Sequence, residues 1–153
     1  MFKKTVSLLL MAALAIMTMT ACKPAPKKVT VSVKVVGHNS AVLFEGSAIA
    51  TQNIGPDGQN PVIADLLVGL NDSEAISNLK MNDNNTSIEQ IGDFKNQEDA
   101  SATGVFFWTY SINGAEQVDD TTDLVDPSVD QIKEGDQIII HYSWMKYADE
   151  SKK

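Results

Sequence analysis

The strongest constraint on this fold lies between Phe106 and Trp144, where two alternating apolar segments flank an acidic, turn-rich spacer. Phe106, Trp108, Tyr110 and Ile112 recur at every second position, the period at which side chains share one face of a strand. Asn113-Gly114 follows directly, and both residues accept the positive φ of a tight turn. Beyond a second turn at Glu134-Gly135-Asp136, the residues Ile138, Ile140, Tyr142 and Trp144 repeat the alternation. Such strands need a sheet with one side on a core. Trp108 and Tyr110 share the face of Phe106 and Ile112, which favours a core role over an aromatic binding platform. Phe107 points the other way, together with Val105, Thr109 and Ser111.

The earlier segments supply what that sheet requires. Val29, Val31, Val33 and Val35 mark a half-buried strand. The turn Gly37-His38-Asn39-Ser40 leads into a second short run, Ala41 to Phe44, which predicts a hairpin. His38 reads as a solvated turn residue. After a loop over Gln52 to Asn60, Asn60 is expected to cap a helix and Pro61 to occupy its first position. Val62, Ile63, Leu66, Leu67 and Leu70 then form one apolar stripe on about three helical turns, ending near Asn71-Asp72. Ala75, Ile76 and Leu79 suggest a short helical turn. Ser87 to Phe94 is a weak strand with Ile88 and Ile91 inward, and Asn96 to Thr103 is polar and expected to be mobile. Pro127 to Ile132 predicts one helical turn, with Asp126 as its cap.

The amino-terminal segment predicts export. Lys3 and Lys4 precede an apolar run from Val6 to Met19, of signal-peptide length and short for a membrane span. Met19-Thr20-Ala21-Cys22 resembles a bacterial lipobox, which implies cleavage before Cys22 and a diacylglyceryl thioether on its sulfur. Cys22 is the sole cysteine, so no intramolecular disulfide can form. Two acyl chains give stable anchoring where one does not. The expected organisation is a lipoprotein signal peptide over 1–21, the lipidated Cys22 and a tether over 22–28, one domain over 29–147 and a polar tail over 148–153. The expected location is extracytoplasmic, on a bacterial membrane.

Composition narrows the partners. All twelve cations are lysine, the acids number 20, and the formal charge of −8 becomes −10 once Lys3 and Lys4 leave with the leader. Nucleic acid is a poor partner for such a chain, because affinity there comes from neutralising phosphates. Two histidines and one cysteine make a zinc site improbable. Asp119, Asp120, Asp123, Asp126 and Asp130 do not follow EF-hand spacing and are expected to be a solvated acidic loop, so no metal or cofactor is predicted. His141 and Ser143 share a strand face without a visible third group to orient them, so no catalytic residue is assigned and a non-enzymatic role is expected.

Trp108-x-Tyr110-x-x-Asn113-Gly114, the acidic spacer and Gly135-Asp136 before Ile138–Tyr142 together resemble the transcobalamin-like C-terminal domain family. A strand at Val29, a short strand at Leu43–Glu45 and the helix from Pro61 fit the same outline, so the resemblance covers roughly Val29 to Trp144. It implies an α+β, β-grasp-like single domain, a mixed sheet of about four to five strands packed on one helix. It also implies a binding module whose ligand is cobalamin, another corrinoid or a related small molecule. The helical barrel that covers the other side of cobalamin in transcobalamin has no room in this chain. The alternative is a cell-surface adhesion or assembly module that meets protein or polysaccharide. Strand alternation alone nominates Phe107, His141 and Tyr147 as ligand-binding residues, with Trp108 and Trp144 as an aromatic reserve.

Overall fold

The computed structural model describes residues 25–55, 58–116 and 126–147. The leader, Cys22, the start of the tether, Asp119, Asp120, Asp123 and the tail over 148–153 lie outside the described residues. In chain order the elements are β1 (Lys28–Val36), β2 (Val42–Thr51), α1 (Ile63–Asp72), β3 (Lys80–Met81) and β4 (Ile88–Ile91). They continue with β5 (Phe94–Lys95), β6 (Gln97–Glu98), β7 (Gly104–Ile112), β8 (Ala115–Glu116) and β9 (Gln137–Lys146). A 3₁₀ turn over His38–Ser40 joins β1 to β2. The fold is mixed α+β, with one α-helix among the described residues.

The larger sheet has the order β2-β1-β9-β7-β6, and β8 pairs with β7 beside that path. β1 and β9 run parallel in its centre, and the β1–β2 and β7–β9 pairs are antiparallel. Four long strands carry this sheet; the two-residue β6 and β8 raise the expected four or five strands to six. β2 is longer than its expected run over Ala41 to Phe44, because it pairs with β1 from Val42 to Thr51. β3, β4 and β5 form a separate small antiparallel sheet.

The expected periodicities produce these elements. Val29, Val31, Val33 and Val35 are buried on β1, Ile138 and Ile140 on β9, and Trp108 and Tyr110 on β7. The helical stripe is buried at all five positions, Val62, Ile63, Leu66, Leu67 and Leu70. The start of the helix differs from expectation. α1 begins at Ile63, because Val62 forms a bridge with Gln131 and the Pro61 carbonyl accepts the Ile132 amide at 2.9 Å. Asp65, in the first turn, does the capping expected of Asn60. Its carboxylate accepts the amide of Val62 at the helix start (3.0 Å) and those of Asn53 (2.9 Å) and Ile54 (2.7 Å) in the loop after β2. The carbonyls of Asp130 and Pro127 accept the amides of Ile63 and Ala64 at 3.1 and 2.8 Å. Residues 127–129 form a turn, not helix, with Asp126 accepting the Ser128 amide at 2.9 Å.

The two turns around the acidic spacer lock onto each other. Asn113 donates its side-chain amide to Asp136 at 2.8 Å and accepts the Gln137 amide at 2.9 Å. Asp136 also accepts the Lys133 amide at 2.7 Å. Buried Tyr110 donates its hydroxyl to Asp130 at 2.5 Å, tying β7 to the segment that caps α1. Burial and the Asp130 carboxylate push the Tyr110 phenol far above its usual range, so it remains a donor.

Lengths determine where the core closes. Ten helical residues span about 15 Å, whereas the nine or ten residues of β7 and β9 span roughly 30 Å. α1 therefore covers only part of the inner sheet face and packs on β2. The small sheet covers the β7 side, with Ile88 and Ile91 in the same core as Trp108 and Tyr110.

Candidate functional site

Beside the small sheet, the inner face opens as a cleft of about 250 Å³. Phe106 and Tyr142 come from β7 and β9, Phe94 from β5 and His38 from the turn after β1. The rings of Phe106 and Tyr142 stack at 12° with centroids 5.7 Å apart. His38 meets Phe106 edge-on at 5.3 Å, and Phe94 lies 5.7 Å from Tyr142. The buried Trp108 ring backs the group, 5.2 Å from Tyr142. Asp93, Lys95 and Gln97 supply polar groups at the margin.

Polar anchors fix these rings. Trp108 donates its indole N–H to the Phe94 carbonyl at 2.8 Å. Asn96 accepts the Trp108 amide at 3.1 Å and donates to the Ile88 carbonyl at 2.8 Å, so one side chain links the two sheets. The Tyr142 hydroxyl donates to the Lys95 carbonyl, and desolvation raises its phenol above the ordinary value. Gly37 makes the approach of Phe94 possible, since a Cβ there would stand 2.3 Å from the ring. Gly104 does the same for Trp144, whose indole would lie 2.7 Å from a Cβ.

The polar segment expected to be mobile over Asn96–Thr103 instead holds β6 and an ordered turn. Asp99 accepts the Thr103 amide (2.8 Å), the Thr103 hydroxyl (2.9 Å), the Ser101 hydroxyl (3.2 Å) and the Trp144 indole N–H (3.1 Å). Desolvation acts to raise the Asp99 pKa, but these donors outweigh it and hold the carboxyl at about 2.

The five nominated ligand residues divide between locations. Phe107 and His141 lie on the outer sheet face as diagonal neighbours, because Phe107 pairs with Ser143 and Thr109 with His141. No hydrogen bond joins His141 to Ser143. Tyr147 follows β9 and donates its hydroxyl to Glu98 at 3.2 Å. Burial, then Glu98 and Asp99, raise its phenol. Trp108 is core, and Trp144 sits half-exposed beside the Asp99 turn. The sheet thus brings Phe107 and His141 together and separates them from both tryptophans.

No family model matches this chain, and no curated protein matches it. The geometry itself limits the chemistry. Aromatic walls hold a planar or apolar group by stacking and area burial, and the polar margin can orient it. Among the described residues no group of three His, Cys, Asp or Glu side chains could hold a metal.

Sequence reasoning misses His38 and Phe94, and places Phe106 and Tyr142 on the inner face without recognising a cleft. The usable signal was a comparison of lengths. A three-turn helix cannot cover strands as long as Gly104–Ile112 and Gln137–Lys146, so surplus aromatic residues on the inner face must meet another layer or line an opening.

Proposed function

We propose that this chain is a lipid-anchored, extracytoplasmic and non-catalytic binding module that takes a ring-sized group into the cleft of His38, Phe94, Phe106 and Tyr142. The observation that carries the reading is the aromatic cleft between the inner face of the larger sheet and β5. The β-grasp-like architecture, and with it the resemblance to the transcobalamin-like family, is supported by the order β2-β1-β9-β7. In that order the first and last long strands are parallel neighbours and one helix lies across a face.

Size defines the ligand. Sites that enclose a drug-sized molecule run to about 300–1,000 Å³, and this cleft is about 250 Å³. It therefore accepts one ring or the edge of a larger molecule. A corrinoid would insert an edge and leave most of its surface outside. The same dimension supports the adhesion reading, in which a single pyranose or aromatic side chain of a surface polymer or protein occupies the cleft.

The test is titration of the mature chain carrying Cys22→Ser with cobalamin and cobinamide, followed by visible spectroscopy and calorimetry. Micromolar binding that weakens at least tenfold in Phe106→Ala, and is unchanged in Phe107→Ala, is the expected result. Absence of binding to either corrinoid removes that ligand class and leaves sugars and aromatic peptides as the next probes.

A further inference from the structure

The larger sheet has a second exposed feature, at the end of the strand order opposite β6. β2 is an outer strand of the larger sheet, so one of its edges is unpaired. The Gln52 amide donates to the Lys27 carbonyl at 2.8 Å, and Thr51 pairs with Lys28. Antiparallel geometry then directs the backbone groups of Ala50, Ala48 and Gly46 toward β1, and those of Thr51, Ile49, Ser47 and Glu45 outward. Among the described residues, no backbone hydrogen bond from outside the β1 ladder reaches those four. Protective devices are sparse on this edge. β2 contains no proline or lysine, and its one charge, Glu45, is paired with Lys34 at 3.0 Å.

The edge borders a groove whose other wall is α1. One cavity of about 350 Å³ includes Phe44, Ala48, Leu70 and Ala75 in its lining. Another of about 340 Å³, toward Thr51, includes Val68, Asp65 and Asp72. Ile49 and Gly69 line both, so the cavities adjoin along the strand. Gly69 keeps the passage open. Glycine is a poor helix former, yet neither packing nor φ requires it here. A Cβ at that position would meet only the Ile49 carbonyl oxygen, at an ordinary 3.5 Å.

We propose that this groove binds an extended peptide segment, which adds a strand to β2 and is held by α1 from the side. Main-chain hydrogen bonds to Glu45, Ser47, Ile49 and Thr51 provide the attachment, and alternate side chains enter the groove. Charge sets the sequence preference. The described lining is mostly apolar at the Phe44 end and carries the exposed Asp72, with no cation, at the Thr51 end, where buried Asp65 is already engaged by three backbone amides. A segment antiparallel to β2 therefore places apolar side chains toward Phe44 and a basic residue, near its own amino end, beside Asp72.

The test uses the mature chain with Cys22→Ser and the blocked peptide Lys-Thr-Val-Thr-Val-Thr. Amide exchange followed by NMR reads the edge directly. Bound peptide is expected to slow exchange at Glu45, Ser47, Ile49 and Thr51. Gly69→Leu, which fills the groove with a good helix former, is expected to weaken binding at least tenfold while the domain stays folded. Asp72→Lys is expected to weaken this peptide and to favour one with glutamate in place of lysine. Protection that appears without peptide, rises with protein concentration and accompanies a dimer in sedimentation would assign the edge to a second copy and overturn the proposal. Binding that Gly69→Leu leaves unchanged, or no binding at millimolar peptide, would overturn it equally.

Discussion

Single residues with several partners hold the regions that carry no secondary structure. Asp99 is the clearest case, as four donors from three side chains and one backbone amide converge on its carboxylate. Its folded pKa of about 2 lies below the ordinary 3.8. A depressed carboxylate stabilises the folded state at pH above its unfolded pKa, and that contribution fades as pH falls through the folded value. The Asp99 share of stability is therefore complete above about pH 4 and disappears toward pH 2. Carboxyl NMR should give a titration midpoint near 2 for Asp99, together with loosening of the Trp144 indole signal at low pH. A midpoint near 3.8 would mean that the turn is not organised by this side chain. Asn96, Asp65 and the Asn113–Asp136 pair act in the same way at other joints, each linking segments far apart in sequence.

At the level of elements, periodicity made β1, β7, β9 and the stripe of α1 legible, and these hold most of the core. The small sheet was legible only through Ile88 and Ile91, because strands of two residues have no period to detect. The helix start was misplaced because Asp65 caps from inside the first turn, whereas Asn60 offers only a local signal. The cleft was hidden for a related reason. His38 and Phe94 reach it through a turn and a glycine contact, and neither belongs to the alternating pattern that exposes Phe106 and Tyr142. Trp108 belongs to the legible part, with its ring 2% exposed and packed between Phe94 and Tyr142. Trp108→Ala should cost about 3–5 kcal/mol in urea unfolding. A loss below about 1 kcal/mol would place that ring outside the core.

On the proposed function, the whole molecule is a lipid anchor, a tether and a domain with its cleft on one face. Lipidation is expected to depend on Cys22 alone, so Cys22→Ser should abolish labelling by a fatty-acid probe and move the protein from the membrane to the soluble fraction. Retention of the label would contradict the anchor. The proposed function turns on which face of the sheet receives a ligand. The inner cleft gathers His38, Phe94, Phe106 and Tyr142, and the outer face presents Phe107 and His141. The most direct measurement is an NMR titration of the mature Cys22→Ser chain with cobinamide, observing the aromatic side chains residue by residue. Shifts are expected to concentrate at Phe106, Tyr142, Phe94 and His38, with Phe107 and His141 unmoved. Shifts confined to Phe107 and His141 would put the ligand on the opposite side of the sheet and contradict the proposed function.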